Sequence, residues 1–484
     1  MLFLRISNPD QAKRWIDQIS GSIATAQRVW DFKRKLNLAK QRREKHALKS
    51  MWINIAFSHE GLSRLTPADA DKFTDAAFRR SSERAKTDRI PGAKAPDPDI
   101  VLIIAADKRR DVANEVKRIK EGIEAPGPTP RGVRVIDEQS GAASGNLRGR
   151  EHFGWRDGIS QPGVRGWLSA ERRAYFTPRT NYANPNQGLP GQDVIWPGEF
   201  IFGYERQDPN DATTPGPDSL KPYGKLVAPE WAKNGSYLVF RRLRQDVGAF
   251  HGFLFDEAKK LSVDPVALGA RLIGRWPSGA PLVRTPVRDK PRLGRNNDKD
   301  NDFEYGPPAD RDREGSAVPR DPKGLYCPFS AHIRKAYPRD ETVAAGDRNP
   351  YEGLQPPRTL NESDTQTHRV LRRGIPYGPP SESTPRDPVD DDVDRGLLFM
   401  AYMTSISNQF EFVMDHMFNN PDFKSPRTGV DPIVGEAEGK RGHIRTVLPD
   451  EQAARELKLR RWVTTTGGGY FFAPSLSGLR YIAT

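Results

Sequence analysis

Apolar residues along the first third of the chain come in short runs separated by amphipathic stretches. Met1–Ser7 is strand-like, and Asp10–Ile19 has the spacing of an amphipathic helix. Trp52–Phe57 (WINIAF) predicts a second strand, followed by a helix-like stretch with Leu62 and Leu65. Asp99–Ala105 predicts a third strand, and Asp111–Ile123 a helix with Val112, Val116 and Ile119 at roughly helical spacing. Val133–Ile136 is a candidate fourth strand. The second half repeats this rhythm without repeating the sequence. Ser236–Phe240 (SYLVF) predicts a strand and Gln245–Lys259 a helix. Gly396–Tyr402 (GLLFMAY) predicts another strand, and Ile406–Asn419 a helix with Phe410, Val413 and Met417 on one side. Strands and helices in this alternation predict an α+β fold with helices on one face of a sheet. Two polar tracts, 286–324 and 376–394, interrupt the pattern, and their composition predicts surface loops.

Length and composition refine this picture. At 484 residues the chain exceeds one typical core, so two domains of about 200 residues are expected. Hydrophobic content is 36% and mean hydropathy −0.72, yet 22 Phe, 9 Trp and 13 Tyr suffice to build cores. Glycine and proline, 42 each, predict long irregular loops. A single cysteine, Cys327, excludes an intramolecular disulfide and a Cys-rich metal site. No run approaches the roughly 20 apolar residues of a membrane span, so no membrane association is expected. The N-terminus lacks a signal-peptide layout, which points to the cytoplasm while leaving secretion from a processed precursor open.

The net charge of +13 invites a nucleic-acid reading. Its densest basic run, Lys33 through Lys45, contains Leu36 and Leu38 and suits a solvated helix or loop equally well. No zinc-finger spacing or RNP-like aromatic motif accompanies it. Attraction of anionic small substrates is the simpler account, and no nucleic acid is expected as a partner.

Three segments can carry chemistry. EHFGWRDGISQP (151–162) sets Asp157 between glycines, Gly154 and Gly158, that let a ligand approach the backbone closely. Alone this is a weak signal, because Asp-Gly pairs mostly mark turns. CPFSAHIRKAYPRD (327–340) places His332 after small and apolar residues and before Arg334, Lys335 and Arg339. An imidazole there could ligate a metal or haem, or simply cap a strand. HRVLRRGIPYGPP (368–380) carries Arg372 and Arg373 directly before Gly374; one guanidinium could stabilise an oxyanion, or both could be solvated.

Together these segments closely resemble the dye-decolorizing peroxidase family of haem proteins. GWRDG matches its Gly-x-x-Asp-Gly motif, CPFSAHIRKAYPRD resembles its haem-ligating segment, and RVLRRGIPYG its distal-arginine segment. Supporting matches are WPGEFIFGY (196–204), NGSYLVFRRLRQDV (234–247), GRWPSGAP (274–281) and GLLFMAYMTSISNQFEF (396–412). Coverage is essentially full length, and the chain looks like the larger, loop-rich branch of the family.

The resemblance implies two ferredoxin-like α+β domains, here 1–225 and 226–484, with haem b held mainly by the second. It implies His332 as proximal iron ligand, Asp157 as distal acid/base and Arg372 as its distal partner. Leu397 and Phe399 would close the distal pocket, Gly158 would let its loop lie against the porphyrin, and Arg334 is a candidate propionate partner. Proximal peroxidase histidines usually donate their second N–H to a carboxylate; Asp431 is the candidate, with Glu436 and Glu438 as rivals. The implied reaction is reduction of hydrogen peroxide with one-electron oxidation of bulky aromatic, dye-like or phenolic substrates. A carboxylate base works in acid, where histidine would already be protonated, so an acidic optimum is expected. Surface relays for substrates too large to enter are sought among Tyr351, Tyr377, Trp462 and Tyr470. The resemblance leaves open the natural reductant, oxidation of Mn(II) at acids such as Asp390–Asp392, and a monomer or homodimer. The alternatives are a haem-handling protein with little turnover and a cofactor-free basic binding protein.

Overall fold

The computed structural model describes residues 1–43, 48–80, 97–124, 132–143, 147, 149–166, 187–209, 222–306, 318–345, 358–424, 426–436, 444–448 and 455–484. The elements of the first half are β1 (Leu2–Ile6), α1 (Pro9–Ser20), α2 (Ala26–Gln41), β2 (Met51–Phe57), β3 (Ile100–Ala106), α3 (Arg109–Glu124) and β4 (Val133–Glu138). Those of the second are β5 (Ser236–Gln245), α4 (Val247–Leu261), α5 (His332–Ala336), β6 (Leu371–Arg372), β7 (Ile375–Tyr377), β8 (Gly396–Met403) and β9 (Val463–Ala473).

Local chemistry accounts for the helix starts. The Asn8 side chain accepts from the Gln11 N–H, and Pro9, lacking a donor, opens α1. Ala12, Trp15, Ile16 and Ile19 then fall on one buried stripe. By contrast α2, which carries much of the basic run, buries no residue. That agrees with a solvated helix.

The strands form one nine-stranded antiparallel sheet in the order β6-β8-β5-β9-β2-β3-β1-β4, with β7 also paired to β8. The order within the first half is β4-β1-β3-β2, and the second half has the matching order β9-β5-β8-β6. Each is the strand order of a ferredoxin-like unit. The halves join through β9 and β2 at a single register pair, Phe472 opposite Phe57.

Side chains alternate across each strand, so the two faces pack differently. Phe3, Ala56 and Val101 of the first half share one core with Leu238, Phe240, Leu398, Met400 and Phe471 of the second. The sheet is therefore folded over on itself, inner face to inner face. After β4 the chain returns to the opposite edge, where the Ala142 N–H donates to the Pro376 carbonyl (2.8 Å). The result is barrel-like, with α1 packed on the outer face.

Three expectations change. β5 runs to Gln245 rather than stopping at Phe240, because Arg241 and Arg242 are buried with partners. Arg241 donates to the Tyr470 hydroxyl, and Arg242 to Gln139, Thr466 and Asp394. The helix expected over 406–419 is two π-helical pieces, Ile406–Glu411 and Val413–Phe418, and the Asn408 carbonyl is taken by His368 Nδ1. The tract 286–324 is not all surface. Phe303 and Tyr305 are fully buried in a core with Trp276, Leu282 and Ile333. The guanidinium of Arg339 lies 3.7 Å above Phe303, and that of Arg334 4.3 Å above Tyr305.

Candidate functional site

A cavity of about 1490 Å³ takes its lining from both halves. Asp157 and Gly158 come from the loop after β4, His332 from the first turn of α5, Arg372 from the edge strand β6, and Leu397 and Phe399 from β8. The three sequence segments thus converge on one space.

His332 is held from behind. Its Nδ1 donates to Asp431 Oδ2 at 2.8 Å, while Asp431 Oδ1 accepts the N–H groups of Ile433 and Val434. Asp431 is fully buried, and its aspartate-backbone bonds fix the carboxylate that orients the ring. Burial works against a charged imidazole, but the charge and hydrogen bond of Asp431, aided by Asp157, outweigh it and raise the His332 pKa. The other ring nitrogen, Nε2, makes no hydrogen bond to a described residue and faces Asp157 Oδ2 at 3.6 Å. Of the rival carboxylates, Glu436 lines the cavity, and Glu438 lies outside the described residues.

Arg372 is tied to the Asp157 loop. Its backbone N–H donates to Gln161 Oε1 (3.1 Å) and its Nη2 to the Ser160 carbonyl (2.9 Å). The loop itself is anchored by the polar tract, which sequence patterning assigned to the surface. Arg156 donates to the Gly294 carbonyl (2.6 Å), and Ser160 donates to Asn301 Oδ1 (2.6 Å) while accepting from Arg275 (3.0 Å). These contacts join residues more than a hundred positions apart, which no local pattern reveals. Glu151, just before the Asp157 loop, also lines the cavity. Glu151 accepts from the Phe153 and Trp155 N–H groups and from Gln245, and burial together with the nearby Asp157 charge pushes its pKa up to about 8.

Arg334 requires a correction. Its five donors are spent on Glu341, Asp321 and the carbonyls of Asp321 and Cys327, and it does not line the cavity. It pins the helix carrying His332 to the polar tract and has no donor left for a propionate. The relay candidates are corrected too. Tyr377, Trp462 and Tyr470 are buried, bonded to Asp394, the Pro432 carbonyl, and Arg241 with Glu411. None of the three offers a surface ring, and Tyr351 lies outside the described residues. Of the acids at 390–392, Asp391 pairs with Arg395 and Asp392 with Arg244. No helix among the described residues is long and apolar enough to cross a membrane.

The donor set suits haem: an oriented imidazole with a free nitrogen, apolar Phe399, Phe418 and Val434 in the wall, and cationic Arg156, Arg369 and Arg372. The 3.6 Å separation is too short for it, however. With a metal–imidazole bond of about 2 Å, Nε2 would hold the group only with the Asp157 carboxylate farther from the ring. A Cβ on Gly154 or Gly158 would meet no atom within 4 Å, and Gly154 already has φ +98°.

Known proteins resemble this chain in both sequence and fold. A family profile described as "DyP dimeric alpha+beta barrel domain" matches residues 1–126. A dye-decolorizing peroxidase of Mycena epipterygia is 33% identical over 460 residues, covering 89% of this chain and 76% of the relative. A multifunctional dye peroxidase of an Amycolatopsis species is 29% identical, covering 99% of this chain and 91% of the relative. Among solved structures, the dye-decolorizing peroxidase of Pleurotus ostreatus superposes with TM-score 0.76 at 26% identity, covering 100% of this chain and 95% of that one. An ancestral D-type dye-decolorizing peroxidase gives TM-score 0.74 at 29% identity, covering 99% and 94%.

Proposed function

The chain belongs to the dye-decolorizing peroxidase family, and from that premise we propose that it reduces hydrogen peroxide and oxidises bulky aromatic or phenolic substrates by one-electron steps, with haem b ligated by His332. The observation that carries this reading is the His332 ring, oriented by Asp431 at 2.8 Å, with its free nitrogen turned toward Asp157. When bound, haem b supplies the redox chemistry.

The chain's own residues do the rest. Residues 226–484 supply the ligand histidine, and residues 1–225 bring Asp157 over it. Asp431 accepts the Nδ1 proton of His332 and makes the ring a stronger donor. Asp157 takes the proton from one peroxide oxygen at Oδ2 and delivers it to the other, which leaves as water. Arg372, held against the Ser160 carbonyl, sets a permanent charge beside the separating oxygens. Leu397 and Phe399 exclude water on the β8 side, and Gly158 lets the loop lie flat against a planar group. Arg156 and Arg369, which also line the cavity, are candidate partners for haem carboxylates.

The test is haem stoichiometry and axial ligation. The wild-type protein is expected to bind one haem with a Soret band typical of histidine ligation, and His332→Ala to lose that ligation. Retention of normal ligation by His332→Ala overturns the assignment.

A further inference from the structure

The cavity does not end at the His332 side of β8. It passes round the edge of the sheet onto the inner face, where Trp52, Asn54, Arg373 and Tyr402 line it. Strand alternation explains the change of face. Arg372 lies opposite Ala401 on the His332 side, whereas Arg373, the next residue, turns the other way, its N–H bonded to the Met400 carbonyl (2.7 Å). Tyr402 shares that inner face with Met400 and Leu398. From the other half, Trp52 stands opposite Ala105 and Asn54 opposite Ile103 on β2 and β3.

We propose that this mouth of the barrel is a second binding site, for an aromatic ring carrying a carboxylate or sulfonate. Mouths of barrels are common sites for small ligands. The walls are apolar, and Trp52 is fixed edge-on by Phe32 of α2, ring centroids 5.3 Å apart, so a flat aromatic face is already in place. Two polar groups interrupt those walls. The Asn54 amide and the Tyr402 hydroxyl make no hydrogen bond to any described residue and stand ready for a ligand. Cations collect at the same end. Arg373 is close enough to Lys33 for each to feel the other, and partial desolvation together with the Arg373 charge lowers the Lys33 pKa. Arg373 also acts on the Tyr402 phenol, whose pKa burial raises. An anionic substituent relieves the repulsion between the two cations, while the ring fills the apolar space.

That the ligand is a reducing substrate rests on the peroxidase reading; that the site binds it does not. The experiment is therefore calorimetric titration of the haem-loaded protein with naphthalene-2-sulfonate, without peroxide, and with neutral 2-naphthol as control. Wild type is expected to bind one sulfonate per chain. Arg373→Gln should weaken the sulfonate about tenfold and 2-naphthol less than about threefold. Tyr402→Phe, which removes one hydroxyl from the wall, should weaken the sulfonate severalfold. Absence of binding, or equal sulfonate affinity in wild type and both variants, overturns the proposal. Binding without peroxide turnover would instead leave the site standing and remove the peroxidase reading.

Discussion

Asp157 and His332 are defined by their partners more than by their types. One histidine among eight becomes a ligand candidate because Asp431 takes one nitrogen and the cavity takes the other. Glu151 shows the cost of building such a wall. It is buried without a cationic partner, and its pKa is pushed from 4.5 to about 8 by burial first and the Asp157 charge second. An acid whose pKa is higher in the folded state is harder to ionise there than in the unfolded chain. The folded state is therefore favoured at low pH and loses that advantage as pH rises from about 4.5 through about 8. Thermal unfolding should accordingly show a fall in Tm between pH 5 and pH 8. Glu151→Gln, which removes the titration but keeps an acceptor for the Phe153 and Trp155 N–H groups, should flatten part of that slope. An unchanged slope would show that Glu151 ionises freely. At this scale the sequence was legible for Asp157, His332 and Arg372 because each sits in a motif. It was silent on Glu151, which precedes the same motif and looks like any charged residue.

Elements were legible where burial follows apolar periodicity and obscure where arginine is buried. The strands of the first half and the helices α1 and α3 were expected within a few residues of where they lie, since Leu, Ile and Val there report the core directly. By contrast α2, which buries no residue, was legible only as a helix or loop. The tract at 286–324 was read as surface because its polar composition hides two fully buried aromatics, Phe303 and Tyr305. Those rings are covered by Arg275, Arg334 and Arg339, which donate to backbone carbonyls and, for Arg334, to the Glu341 carboxylate as well. Arg334 likewise stood out in sequence for its place beside His332, yet it works as a strut. Breaking a buried ion pair by removing one partner leaves the other charge stranded, so Arg334→Met is expected to destabilise the fold by about 3–5 kcal/mol in equilibrium denaturation. It should leave haem binding at low temperature near the wild-type level. A variant of wild-type stability that fails to bind haem would restore the propionate role.

The molecule as a whole brings the two sides of the site from separate halves. Residues before 225 carry Asp157, residues after 226 carry His332, Arg372 and Asp431, and one folded-over sheet sets them face to face. The family resemblance implied two ferredoxin-like units, with which the repeated element order agreed. That order could not announce their closure into a barrel, which depends on contacts such as Ala142 with Pro376 between chain positions far apart. The same closure gives the cavity its second mouth around Arg373 and Tyr402. What the architecture exists to do, on this account, is to hold one carboxylate from the first half over a histidine from the second and have it move a proton. The most direct measurement is the pre-steady-state rate of reaction of haem-loaded protein with hydrogen peroxide in wild type and Asp157→Asn. Asparagine keeps the size and loses the base, so a slowing of about 10²- to 10⁴-fold is expected with haem content unchanged. A rate within a few fold of wild type would contradict the account.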